Sequence, residues 1–291
     1  MRLRSVLITR REFTAGLAMA GAGVAARAVA LTKAKDSAFG GLEVGVQSYT
    51  FRAFDVDRMI TAMKSVGLSS VELWSGHLDP IKATEADFKA ARGKLDAAGI
   101  KVSAYCANFP TDATDDHLER AFRGAGLLGT GVMTSTVEKP ILDRLDERCR
   151  RYKVRLGLHN HYLGDAWFKG DKSINFEGPA DFLQALQGRS EYLAINLDVG
   201  HFFAAGHDPV AFFRDHHRRI VSLHIKDRDR DAERTYRQFG EGKTPIAEVL
   251  RLARDVKFPY AANIEYEMDE EDPTAGVRRS FDYIKRALTS A

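Results

Sequence analysis

Cysteine is nearly missing from this chain: two in 291 residues, Cys106 and Cys149. Two thiols cannot build a disulfide framework. Cys106 falls in the strand-like run "KVSAYCANF" and Cys149 on the polar helical run "LDRLDERCRRYK", so two separate thiols are expected, with a pairing left open for an oxidising compartment. Proline is scarce as well, at eight residues, and no tract is of low complexity. That excludes extended, proline-rich or collagen-like architectures. No uninterrupted apolar run reaches the roughly 20 residues that a spanning helix needs, so stable membrane insertion is not expected. Also absent is a G-x-G-x-x-G turn after the first strand-like run, which argues against an open dinucleotide-binding sheet.

Strong net charge is lacking too. The formal charge is +3, and even that excess sits in the first thirty residues. Arg2, Arg4, Arg10, Arg11 and Arg27 stand there against Glu12, a segment charge of +4, so its removal takes the chain from +3 to −1. A nucleic-acid binder is usually basic, and no such partner is expected. The same thirty residues have a basic start, Arg10-Arg11 within "TRREF", an Ala/Gly-rich run and a small-residue close at Ala28-Val29-Ala30. This is the pattern of a twin-arginine signal peptide. The expected organisation is a signal over 1–30, a linker over 31–41 and one domain over 42–291. Its partner would be the twin-arginine export machinery and its location periplasmic or otherwise extracytoplasmic.

What the rest of the chain does have is alternation. Strand-like runs at 42–50, 69–74, 101–109, 129–136, 154–161, 192–200, 220–227 and 260–267 are separated by amphipathic helical runs, several of them ending in glycine. Strand then helix, eight times over in some 250 residues, predicts a single (β/α)8 TIM barrel. Alternate strand residues share a face. One face of these strands is apolar; the other collects Gln47 and Tyr49, Ser70 and Glu72, His159 and His161, Asn196 and Asp198, Ser222, His224 and Lys226, and Asn263, Glu265 and Glu267. Directed into a barrel, such faces converge on the C-terminal mouth, where barrel enzymes place their sites.

His159, Asp198, His224 and Glu265 end four successive strands. Two imidazoles and two carboxylates suit one divalent first-row ion, Mn²⁺ foremost, with Zn²⁺, Co²⁺, Fe²⁺ or Mg²⁺ as alternatives, better than Ca²⁺. The charge runs "KDRDRDAER" and "MDEEDP" read as solvated loops.

With "VELW", "LDVGH", "HIKD", "FGEGKTP" and "IEYE" in this order, residues 42–288 resemble the xylose isomerase-like TIM barrels, the sugar isomerase/epimerase group related to the type IV AP endonucleases. The resemblance implies a metal held by strands five to eight, here His159, Asp198, His224 and Glu265. It implies substrate contacts at His201 of D-x-x-H and at Arg230, six residues past His224. It also implies proton abstraction next to a metal-polarised carbonyl. His159 departs from the family's usual glutamate, which leaves Glu265 as the surviving carboxylate base and His161 and Lys226 as further acid–base or charge-stabilising groups. Glu72 and Trp167 complete the expected substrate contacts.

The expected function is isomerisation or epimerisation of a keto or aldose sugar. Lyase or hydratase action on 3-keto sugars or 3-keto-glycosides is the alternative, followed by a non-catalytic sugar-binding barrel or a nuclease. No phosphate-cradling glycine loop is evident. Whether the protein forms a homo-oligomer is left open.

Overall fold

A computed structural model describes residues 39–166, 168, 172–230, 235–268 and 270–289. The expected export signal and Trp167 lie outside the described residues. Eight strands alternate with helices along the chain: β1 Glu43–Gln47, α1 Val56–Val66, β2 Ser70–Trp74, α2 Glu85–Ala97, β3 Lys101–Cys106, α3 Asp115–Leu127, β4 Val132–Ser135 and α4 Leu142–Tyr152. Then come β5 Arg155–His159, α5 Pro179–Leu186, β6 Leu193–Asp198, α6 Val199–Ala204, α7 Pro209–His216, β7 Ile220–Ile225, α8 Ile246–Asp255, β8 Ala261–Ile264 and α9 Thr274–Thr289. The eight strands pair in parallel and close on themselves, β1 meeting both β2 and β8. The molecule is a TIM barrel, as the alternation predicted.

Apolar strand residues face outward under the helices. Val71 and Leu73, Leu156 and Leu158, Ile195 and Leu197, and Leu223 and Ile225 are all fully buried. Helix α8 meets them with Ile246, Val249, Leu250 and Ala253, an i, i+3, i+4, i+7 stripe, and α1 repeats the spacing with Met59, Ala62, Met63 and Val66. Each fully buried aliphatic side chain in this shell contributes about 2 kcal/mol. No helix among the described residues is long and apolar enough to cross a membrane.

Strand ends fall short of the sequence estimate, and the reason is local chemistry. β6 stops at Asp198 because its carboxylate turns to accept the amide of His201 at 2.7 Å, capping α6. After β7 the chain forms a two-residue antiparallel ribbon, Asp227–Arg228 with Tyr236–Arg237. The first four residues of "KDRDRDAER" are not solvated: Lys226, Asp227, Arg228 and Asp229 are all buried. Each has partners. Lys226 meets Glu267 at 2.7 Å, Asp227 accepts loop amides, Arg228 pairs with Asp165 at 2.7 Å, and Asp229 with Arg237 at 2.7 Å. Paired charges can be interior where lone ones cannot. Both thiols are free: Cys149 is buried and Cys106 partly so.

Candidate metal centre and active site

The lumen is built upward from one carboxylate. Glu72, at the middle of β2, is fully buried and accepts from Gln47 Nε2 at 2.6 Å, Thr134 Oγ1 at 2.5 Å and His224 Nε2 at 2.7 Å on Oε1. On Oε2 it accepts from Ser222 Oγ at 2.8 Å and Asn263 Nδ2 at 3.0 Å. Five donors from four other strands tie the barrel together at this level. Glu72 therefore touches a candidate ligand, His224, from below and does not line the pocket, so its expected place against substrate is not where the structure puts it.

Above this floor His159, Asp198, His224 and Glu265 converge, with one ligand-type atom of each within 4.8 Å of the others and all four residues buried. His224 Nδ1 lies 2.8 Å from Glu265 Oε2. The inward atoms Asp198 Oδ2, Glu265 Oε2 and His224 Nδ1 meet no hydrogen-bond partner beyond one another and the Lys226 ammonium, which stands 3.0 Å from Asp198 and 3.1 Å from Glu265. Buried carboxylates drawn this close require positive charge. The donor set, two nitrogens and two oxygens within 4.8 Å of one another, fits a first-row divalent ion.

Electrostatics follow from that crowding. Burial works against a charged His224, yet Glu265 and Glu72 on its two sides outweigh it and raise its pKa well above the ordinary value. Burial also opposes the charge on Glu265, but His224 and Lys226 hold its carboxyl well below the usual range. For Asp198 burial wins, pushing it up to about 7 against the pull of Lys226. His161 is lowered to about 3 and His201 falls well below its ordinary value, in each case by burial first and the Lys226 charge second, so both are neutral imidazoles.

The short motifs acquire physical meanings here. In "LDVGH", Asp198 caps α6 with one oxygen and aims the other at the cluster. Gly200 lets the helix pass Lys226, since a Cβ there would stand 2.2 Å from Lys226 Cγ. His201 then lies on the first turn, its Nδ1 2.8 Å from Arg228 Nη1. In "HIKD", His224 and Lys226 face the cluster while Asp227 accepts the amides of Gly240 at 2.8 Å, Gly242 at 3.0 Å and Thr244 at 3.2 Å. That carboxylate is what "FGEGKTP" wraps around. Gly242 has no alternative, because a Cβ would meet Asp227 Oδ1 at 2.3 Å.

A pocket of about 380 Å³ opens over the cluster. His159, His161, His224, Glu265 and Glu267 line it together with Gln47, Tyr49, Trp74, Cys106, Asn108 and Thr136. His161, at 2.9 Å from Thr136 Oγ1, lines it as expected. His201 and Lys226 are buried behind the lining, against Glu267 at 3.9 and 2.7 Å. Lys226 is thus no solvated rim lysine. Arg230 is not brought to the pocket. It is exposed, binds the carbonyls of Phe203 at 2.7 Å and His207 at 2.5 Å, and lies over the Phe203 ring. The inward guanidinium is that of Arg228, held by Asp165. Sequence reasoning passed over Asn108 and Thr136 as site residues, although period-2 counting from Cys106 and Thr134 reaches both; Glu267 it placed on the polar face without a role.

The comparisons now decide the family, since its profile matches residues 60–287 under the description "Xylose isomerase-like TIM barrel". The chain belongs to that family. Among solved structures, it is 19% identical to a sugar phosphate isomerase/epimerase from Parabacteroides distasonis, with TM-score 0.61, covering 84% of this chain and 96% of that one. The probable 3-DHS dehydratase AsbF of Bacillus anthracis, involved in petrobactin synthesis, matches at 15% identity and TM-score 0.65 over 86% and 100%. The IolI protein, solved with a zinc atom bound, matches at 13% and TM-score 0.65 over 86% and 100%. These likenesses speak to the fold. No curated protein matches closely enough to count as a relative.

Proposed function

We propose that this protein is a divalent-metal-dependent enzyme of the sugar isomerase/epimerase kind, which removes a proton from the carbon next to a carbonyl in an uncharged keto or aldose sugar. The observation that carries the proposal is the buried set His159, Asp198, His224 and Glu265 opening directly onto a sugar-sized pocket. An ion held by those four residues, Mn²⁺ foremost, supplies Lewis-acid polarisation of the carbonyl. Glu265, kept ionised by His224 and Lys226, is the carboxylate base at the pocket wall. Lys226 holds Glu265 and Glu267 in place with its ammonium, and its charge favours negative charge developing on substrate. His161, neutral and bonded to Thr136, stands beside His159 with ring centroids 4.5 Å apart and serves as the second acid–base group. Trp74 and Tyr49 offer apolar faces for a sugar ring.

No arginine or lysine is in the pocket lining among the described residues, and Arg230 is engaged by backbone carbonyls. Both facts favour a sugar over a sugar phosphate. The export signal read over 1–30 accords with this, and the proposal extends to an extracytoplasmic location reached by the twin-arginine route.

A second reading, elimination from a 3-keto sugar or 3-keto-glycoside, draws on His159. With an imidazole where a paired carboxylate would return the proton, the abstracted proton need not go back to carbon. One structural neighbour is a probable dehydratase. Proton NMR in D₂O separates the readings, using Mn²⁺-loaded protein and a panel of aldoses, ketoses and 3-keto-glycosides. Deuterium entering next to the carbonyl, and lost in Glu265→Gln, supports enolisation, and the product tells isomer from elimination. Tight metal binding with no exchange in any sugar would sink both.

A further inference from the structure

We infer that Asn196 is the positioning residue that turns the His159 imidazole toward the divalent ion; the inference rests on the metal-dependent reading above. Asn196 lies on β6 directly opposite His159 in the β5–β6 register and is fully buried. Its amide Nδ2 stands 3.1 Å from His159 Nδ1 and 3.1 Å from His224 Nε2. His224 Nε2 is also 2.7 Å from Glu72 Oε1, which makes that nitrogen a proton donor. An NH₂ group facing a donor makes no bond, and Asn196 Oδ1 is meanwhile buried without a partner. Exchanging the two amide atoms, a half-turn about Cβ–Cγ, resolves the conflict. Oδ1 then accepts from His159 Nδ1–H, while His224 Nε2–H stays with Glu72 Oε1.

Asn196 then fixes the tautomer of His159, as Glu72 fixes that of His224. With Nδ1 of His159 and Nε2 of His224 protonated, the basic lone pairs are left on His159 Nε2 and His224 Nδ1, and the latter already faces Glu265. Histidine ligands generally donate their second N–H to an acceptor that fixes ring and tautomer. A carboxylate at position 159 would have no such tautomer to fix. The need for Asn196 therefore arises with the histidine at 159.

The test is metal affinity in the chelator-stripped whole chain, with Co²⁺ and Zn²⁺ as probes, in competition with a chromogenic chelator. Asn196→Leu, similar in volume but without an acceptor, is expected to weaken both ions by about 10- to 100-fold and to alter the visible Co²⁺ bands. Asn196→Asp, which keeps an acceptor between the rings, is expected to bind at least as tightly as the parent. Thermal melts of the stripped proteins check that each variant is folded. Leu binding within threefold of the parent, or Asp as weak as Leu, overturns the role of Asn196. A parent that binds neither ion overturns the metal-dependent reading itself, and this inference with it.

Discussion

Replacing Glu72 by glutamine removes one charge from the barrel floor and little else, which makes the cost calculable. The carboxylate has five donors and one ionic neighbour, the His224 imidazole at 2.7 Å. With the glutamine oxygen in the Oε1 position, Gln47, Thr134 and His224 still find an acceptor. The new NH₂ meets Ser222, whose hydroxyl can rotate, and Asn263, whose unpartnered Oδ1 can turn to accept it. What is lost is the charge-assisted character of the His224 bond, about 2 kcal/mol. Glu72→Ala is different: every donor loses its acceptor and a buried charge loses one of its partners, about 4 kcal/mol. In a barrel of this size 1 kcal/mol moves the thermal midpoint by about 3 °C. The stripped protein should therefore melt about 6 °C lower with glutamine and about 12 °C lower with alanine. Differential scanning calorimetry with a matched urea titration reads both. A glutamine variant within 0.5 kcal/mol of the parent, or as unstable as alanine, would refute the assignment of Glu72 as the charged tie of the lumen.

Gly242→Ala should loosen the loop from Gly240 to Thr244, because the added methyl collides with Asp227; a loss of about 1–3 kcal/mol and faster amide exchange at Gly240 and Gly242 are expected, and unchanged exchange would count against the clamp. Asp181 gives a pH signature. Burial alone would raise its carboxyl, but Lys139 at 2.7 Å and the amides of Glu177 and Gly178 prevail and hold it below its ordinary value. A depressed folded-state value means that the stabilisation is full above the unfolded pKa and fades as pH falls through the folded one. Asp181→Asn should thus cost about 1 kcal/mol at pH 7 and progressively less as pH falls through the acid range, and a pH-independent difference would contradict the charge argument. For the Arg228–Asp165 pair, Arg228→Met alone should cost about 3–5 kcal/mol, while Arg228→Met with Asp165→Leu costs less than Arg228→Met alone; denaturant titrations of the cycle decide it.

The barrel was legible because its two periodicities are uninterrupted: eight apolar-outside strands, and helices such as α1 and α8 with clean i, i+3, i+4, i+7 stripes. The four convergent donors were legible for the same reason, since strand parity survives translation into a parallel barrel. Parity says which face a residue takes, not what it meets there. It places Glu72 and Asn196 in the lumen with His159 and His224, but not one layer lower, where their partners are ligands and strands instead of substrate. It also fails once the strand ends. The family resemblance implies a substrate contact at Arg230, six residues past His224. The Asp227–Arg228 ribbon turns the backbone first, so Arg228 points inward onto Asp165 and His201 while Arg230 lies over Phe203 at the end of α6. The buried charges of "KDRD" were hidden for a related reason. Each is neutralised by a partner outside the run, 8 residues away for Asp229 and 63 for Arg228, or by loop amides, and composition cannot distinguish a paired charge from a solvated one. Where a motif sits at a strand end and mixes Lys, Arg and Asp, interior pairing deserves equal weight with solvent, because the mouth of a barrel is where distant carboxylates and cations are brought within 3 Å of each other.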